Sequence, residues 1–123
     1  MTEMRRLLQL AALTAAGLVP TAVLSHAFLD GAAPVVGGRL AEPPKEIRLT
    51  FTEAIEPRFS GIDLTTGDGR EITTGAAAVD PANDKQLVLA LPPLGPGRYR
   101  VHWHVVSVDT HRTQGEYSFA VEP

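Results

Sequence analysis

The sequence predicts an all-β chain: a single Greek-key sandwich or barrel of about seven short strands. Three observations predict it. Several segments alternate apolar and polar residues, the two-residue period of a half-buried strand. The 123 residues include 11 Gly and 10 Pro, a density of turn formers that suits short strands rather than a helical bundle. The step Asp68-Gly69 marks a hairpin turn, because Gly accepts positive φ at no steric cost.

Each element follows from its residues. Val35 to Arg39 is too Gly-rich to be helical, and Pro34, Pro43 and Pro44 punctuate that region. Ile47-Arg48-Leu49-Thr50-Phe51 alternates cleanly and is predicted as a strand. Ile62-Asp63-Leu64-Thr65 continues in the same way and stops at Gly67-Asp68-Gly69. Gln86 to Leu91 is an apolar strand ended by Pro92-Pro93 and then Pro96-Gly97. From Tyr99 to Val105, one face carries Tyr99, Val101, Trp103 and Val105, and the other Arg100, His102 and His104. The last strand, Glu116 to Val121, sets Tyr117, Phe119 and Val121 together. No internal repeat, low-complexity tract or second domain is visible.

Composition removes whole classes of function. Apolar residues are 44% and charged residues 20%, the proportions of an ordinary globular protein. With 11 basic against 14 acidic residues the net charge is −3, so there is no basic footprint for nucleic acid. There are no cysteines, which excludes disulfides, thiolate zinc sites, iron–sulfur clusters and thiol nucleophiles. No serine nucleophile elbow, phosphate loop or His-Glu-x-x-His pattern occurs.

Residues 1–25 have the form of a signal peptide. Arg5-Arg6 supplies the positive start, and Leu7 to Leu24 is apolar or small apart from Gln9, Thr14 and Thr21. Small residues permit cleavage before His26 or, alternatively, before Phe28. A membrane anchor is the competing reading, since about 18 mostly apolar residues approach a spanning length. Pro20 and the small residues at the exit favour cleavage. Cutting before His26 takes 25 residues from the 123 and leaves a 98-residue β-domain, 26–123. It also removes Arg5, Arg6 and Glu3, so 9 basic and 13 acidic residues remain, a net charge of −4. Met1 and Met4 leave too, and the mature chain contains no sulfur. It is expected in the periplasm or outside the cell as a monomer not embedded in a membrane.

His26, His102, His104 and His111 are then the nitrogen side chains suited to a transition metal. A mature N-terminal His26 offers its α-amine and its imidazole, which can close a chelate ring. A free α-amine ordinarily titrates near pH 8, so a metal can displace its proton around neutral pH. Asp109-Thr110-His111 sets a carboxylate and an imidazole two residues apart, on one face if the segment is extended. Together these would give three nitrogens and one oxygen. A planar or tetragonal set of that kind favours Cu(II), and the absence of sulfur removes the soft ligands of Cu(I). Each piece has a plainer reading: Asp-Xaa-His is common in turns, and cleavage before Phe28 would delete His26. His102 and His104 are either a weak second site or solvent-facing strand residues. Glu53 and Glu56 are either a carboxylate pair or part of a surface turn beside Pro57.

The chain resembles the CopC family of periplasmic copper-binding proteins. The resemblance lies in His26-Ala27-Phe28-Leu29, Ala33-Pro34, Ile47 to Glu53, the run Tyr99 to His111, Gly115, and Tyr117-Ser118-Phe119. Its most specific part is Trp-Xaa-Val-Val-Ser-Xaa-Asp-Xaa-His with a mature N-terminal His. It implies a Greek-key β-fold and one Cu(II) per chain held by His26, Asp109 and His111. Glu53 matches a Glu that lies near the copper in some members. The implied role is copper carriage, sequestration or resistance without catalysis, with copper and a membrane importer or another copper protein as partners. Two alternatives stay open: a copper-dependent oxidative enzyme using an N-terminal His chelate, and a metal-free structural sandwich. Three positions depart from the family. The stretch from about Thr65 to Thr74 lacks the methionines that bind Cu(I) in some members, Arg112 replaces a common Pro, and His104 is unusual.

Overall fold

Alternating residues build two sheets that close over one core. A computed structural model describes residues 28–123; the signal segment and His26 lie outside the described residues. The strands are β1 (Leu29–Ala33), β2 (Arg39–Leu40), β3 (Glu46–Phe51), β4 (Gly61–Thr66), β5 (Glu71–Ile72), β6 (Ala78–Asp80), β7 (Asn83–Ala90), β8 (Gly97–Val106) and β9 (Arg112–Val121). One sheet has the order β1-β3-β7-β6 and the other β2-β9-β8-β4-β5. The chain changes sheet from β1 to β2, β2 to β3, β3 to β4, β5 to β6 and β7 to β8, giving the expected Greek-key sandwich. All pairings are antiparallel except β2 with β9.

The described residues therefore form nine strands rather than about seven. Four of them, β1, β2, β5 and β6, match no segment read as a strand from the sequence: β2 and β5 have two residues and β6 three, too few for alternation to show, and β1 (Leu-Asp-Gly-Ala-Ala) has mostly small residues. The turn at Asp68-Gly69 does join β4 to β5, with Gly69 at φ 89°. β9 begins at Arg112, four residues before the predicted start at Glu116, because β8 pairs with it along its whole length.

The core lies between the sheets. Ile47, Leu49 and Phe51 of β3 and Leu87 and Leu89 of β7 face Val101, Trp103 and Val105 of β8 and Tyr117, Phe119 and Val121 of β9. Phe51 meets Trp103 edge-on across the sandwich, with ring centroids 5.1 Å apart. Tyr99 and Phe119 stack at 5.4 Å. On the outer face of the first sheet, Arg48 donates to Asp80 and to Gln86 (2.8 Å), tying the edge strand β6 to the sheet. Among the described residues no helix is long and apolar enough to cross a membrane.

Tyr117 is the one imperfect member of this core. It is only 6% exposed, and its hydroxyl has no hydrogen-bond partner among the described residues. Burial pushes its pKa up to about 12. A buried hydroxyl without a partner costs about 1–3 kcal/mol, so Tyr117→Phe should leave stability unchanged or raise it by roughly 1 kcal/mol. The unfolded tyrosine ionises near pH 10 and the folded one near 12. Above pH 10 the unfolded state therefore binds fewer protons, and stability falls as pH rises. Urea titrations of both proteins from pH 8 to 11.5 should show that alkaline loss reduced in Tyr117→Phe; a marked loss of stability at pH 7 would reveal a partner for the hydroxyl.

Candidate metal centre

The hairpin joining β8 to β9 carries the two described ligand candidates. Five residues, Ser107 to His111, separate the strands. The Ser107 N–H donates to the His111 carbonyl at 2.9 Å, and the Thr110 N–H donates to the Ser107 carbonyl at 2.8 Å. This closes a tight loop and requires Thr110 to adopt a left-handed conformation, φ 71°. Asp109 and His111 are thus brought together by a turn, not by an extended segment as the spacing alone suggests. His111 Nδ1 lies 3.1 Å from Asp109 Oδ2, with about half of each side chain exposed (44% and 47%).

The Asp109 carboxylate is prepared to stay ionised. Its Oδ1 accepts a hydrogen bond from the Ser107 hydroxyl, and its Oδ2 faces the His111 ring. These two contacts, Ser107 first and His111 next, hold its pKa below the usual carboxylate range. Donor atoms around a first-row metal with bonds of about 2.0–2.2 Å sit roughly 3 Å apart. The Nδ1–Oδ2 separation therefore fits a pair of neighbouring ligands on one ion.

The segment after β3 links this loop to the beginning of the described chain. Phe28 and Thr52 exchange two hydrogen bonds, Phe28 N–H to Thr52 Oγ1 (3.0 Å) and Thr52 N–H to the Phe28 carbonyl (2.9 Å). Two residues on, the Val108 N–H donates to the Ala54 carbonyl at 3.0 Å, and Ile55 bridges to Ser107. Glu53 lies between these attachments. Phe28 and the Asp109–His111 loop are thereby fastened to the same four residues, Thr52 to Ile55. His26 precedes Phe28 by two residues in the sequence.

The other histidines stand apart. His102 pairs across the second sheet with Asp63 and Glu116, and His104 with Gly61 and Gln114, all on the outer face. The His104 ring lies over Gly61, where an added Cβ would meet Cε1 at 2.7 Å. Among the described residues no three of His, Asp and Glu form a group that could hold a metal, so Asp109 and His111 make only part of a site. Sequence reasoning gave Ser107 no role. Its signal was a polar residue at the next inward place after Tyr99, Val101, Trp103 and Val105.

The described residues thus form a small two-sheet β-sandwich with a carboxylate–imidazole pair at one hairpin. The CopC domain family matches residues 29–122, and the chain belongs to the CopC family. It is 38% identical to Protein YobA of Escherichia coli K12 over 112 residues, covering 90% of each chain. It is 36% identical to copper resistance protein C of Xanthomonas campestris pv. juglandis over 116 residues, 89% of this chain and 91% of that one. Among solved structures, CopC from Methylosinus trichosporium OB3b superposes with a TM-score of 0.75 at 33% identity, covering 80% of this chain and 95% of that one.

Thr110 offers a direct test of the loop. A β-branched residue in the left-handed region costs about 1 kcal/mol, whereas Asn tolerates it better. Thr110→Asn should raise the stability of the metal-free protein by roughly 0.5–1 kcal/mol, measured by thermal unfolding. No change or a loss would mean the loop does not hold this conformation in solution.

Proposed function

We propose that this protein is a periplasmic or secreted Cu(II) carrier, matured by cleavage before His26. It binds one Cu(II) per chain through the His26 α-amine and imidazole, Asp109 and His111. The observation that carries this reading is the 3.1 Å pairing of His111 Nδ1 with Asp109 Oδ2 beside the segment that fastens Phe28. Two residues of chain reach at most about 7 Å, which keeps a terminal amine and ring near Phe28 and the segment that also holds the loop. Family membership and the name of its Xanthomonas relative support copper as the metal.

The donor set argues for Cu(II) as cargo. Three nitrogens and one carboxylate oxygen complete a tetragonal plane, and the anion favours the higher charge of the ion. Filling that plane leaves no equatorial position for oxygen, which supports carriage or sequestration over oxidative catalysis. Glu53, between the two attachments of this segment, adds negative charge near the ion. A membrane importer or another copper protein would receive the metal.

Retaining Ser25 ahead of His26 moves the free amine out of the chelate ring. Losing a bond worth a few kcal/mol should weaken Cu(II) binding by about 100-fold or more, read by competition against a chromophoric chelator. Asp109→Asn should weaken binding and raise the Cu(II)/Cu(I) potential. His111→Ala should cost more affinity than His102→Ala or His104→Ala, while equal losses in all three would indicate a diffuse surface site.

Acid should release copper before it unfolds the chain. Asp109, with its pKa held low, stays ionised as pH falls, so protons compete at the nitrogens. A free α-amine and an imidazole ordinarily titrate near pH 8 and 6.5, and each must lose its proton to bind. Occupancy should fall with an apparent order above one proton. The copper visible band and Trp103 fluorescence, followed in one titration, should change in separate pH ranges; coincident changes would make the metal structural rather than cargo.

A further inference from the structure

Position 107 breaks the pattern of its strand. The inward places of β8 are filled by Tyr99, Val101, Trp103 and Val105, all buried and apolar apart from the tyrosine hydroxyl and the indole N–H. The next inward place holds Ser107, which is 1% exposed and is the buried polar residue outside the hydrophobic core among the described residues. Its polar groups all serve the loop. The N–H donates to the His111 carbonyl, the carbonyl accepts from Thr110, and the hydroxyl donates to Asp109 Oδ1. The His111 carbonyl is a second acceptor for that hydroxyl at 3.4 Å, but a hydroxyl has one proton, and Asp109 is the nearer partner.

We propose that Ser107 is a positioning residue of the metal centre: by holding Oδ1 of Asp109 it leaves Oδ2 as the single oxygen turned toward the ion beside His111. This rests on the reading that Asp109 and His111 bind Cu(II). A carboxylate free to rotate about its Cβ–Cγ bond can offer either oxygen or both. Two-oxygen binding closes a strained four-membered ring and takes two places of a plane that the nitrogens need. Fixing one oxygen gives the carboxylate one direction and one place. Because Ser107 is anchored by its own N–H and carbonyl within the same loop, the donor is aligned before the metal arrives.

The test uses the mature chain loaded with one Cu(II). Ser107→Ala should lower Cu(II) affinity about tenfold or more, as loss of a partner to a ligand commonly does. It should also change the parallel copper hyperfine splitting in the electron paramagnetic resonance spectrum. Ser107→Thr, which keeps the hydroxyl, should restore both. In an Asp109→Ala background, Ser107→Ala should have no further effect on affinity, because its action runs through the carboxylate. An equal loss in both backgrounds would reduce Ser107 to a structural part of the loop and overturn the proposal. So would an unchanged spectrum and affinity in Ser107→Ala when Asp109→Ala itself weakens binding. If Asp109→Ala leaves binding intact, the assignment of the ligands fails instead, and this proposal with it. Should Ser107→Ala not fold, nuclear magnetic resonance of the natural chain decides: a protected Ser107 hydroxyl proton correlated with the Asp109 carboxyl carbon is expected, and its absence would overturn the proposal.

Discussion

The contact on which the rest of the structure depends is Trp103 lying across Gly115. The two residues are opposite each other in β8 and β9, and a Cβ at 115 would come within 2.5 Å of the indole Cζ2. Only a residue without a side chain leaves the ring room to lie inward, where it meets Phe51 of the other sheet. In an antiparallel pair a slip of one residue turns every side chain to the opposite face. The Trp103–Gly115 contact therefore fixes the register of ten paired positions, from Gly97 with Val121 to Val106 with Arg112. That register sends Tyr117, Phe119 and Val121 into the core, and it sets which residues fall in the hairpin loop. Ser107 arrives inward and buried, while Asp109 and His111 arrive at the surface.

The candidate centre follows from this in a chain of short-range causes. Fixed strand ends leave five residues to turn the chain, and hydrogen bonds from Ser107 N–H and Thr110 N–H close the turn. The turn pairs a carboxylate with an imidazole, and the buried serine hydroxyl takes one carboxylate oxygen. Meanwhile β3 ends in the stretch from Thr52 to Ile55, which holds Phe28 at one point and the loop at another. The same backbone segment thus brings the beginning of the domain to the hairpin that lies about 80 residues later in the sequence, a span of chain that only tertiary pairing can close.

Strands with a clear apolar pattern were readable in the sequence, whereas β1, β2, β5 and β6 were not. β3, β4 and β8 are marked by alternating apolar and polar residues, and β7 by an apolar run that ends at Pro92-Pro93. β2 and β5, with two residues apiece, exist because neighbouring strands pair with them, which no local pattern records. The first turn of β9 was hidden for a related reason: Arg112, Thr113, Gln114 and Gly115 read as polar loop, and only the facing β8 makes them a strand. At the hairpin, Asp109 and His111 were legible as a carboxylate and an imidazole two residues apart, but the route that brings them together was not. Two residues on one face of an extended segment and two residues gathered by a left-handed Thr110 share the same spacing. Nothing in the residue Thr signals positive φ, a conformation its branched Cβ opposes.

The proposed reading as a carrier requires a chain that folds without its cargo, and the distribution of burial is consistent with it. The core residues from Ile47 to Val121 pack against one another and include neither Asp109 nor His111. Those two side chains stand about half exposed at the end of a hairpin closed by hydrogen bonds from the Ser107 and Thr110 N–H groups. With no cysteine in the chain, stability comes from sheet pairing and from contacts such as Phe51 on Trp103. A metal bound at the hairpin can therefore come and go by moving a few surface groups, with no part of the core to be reopened. In the proposed reading, exposure that would make a poor structural metal site suits a site for exchange. Ser107 keeps that exposed site from being a loose one, since the buried hydroxyl lends the rigidity of the strand to a carboxylate in solvent.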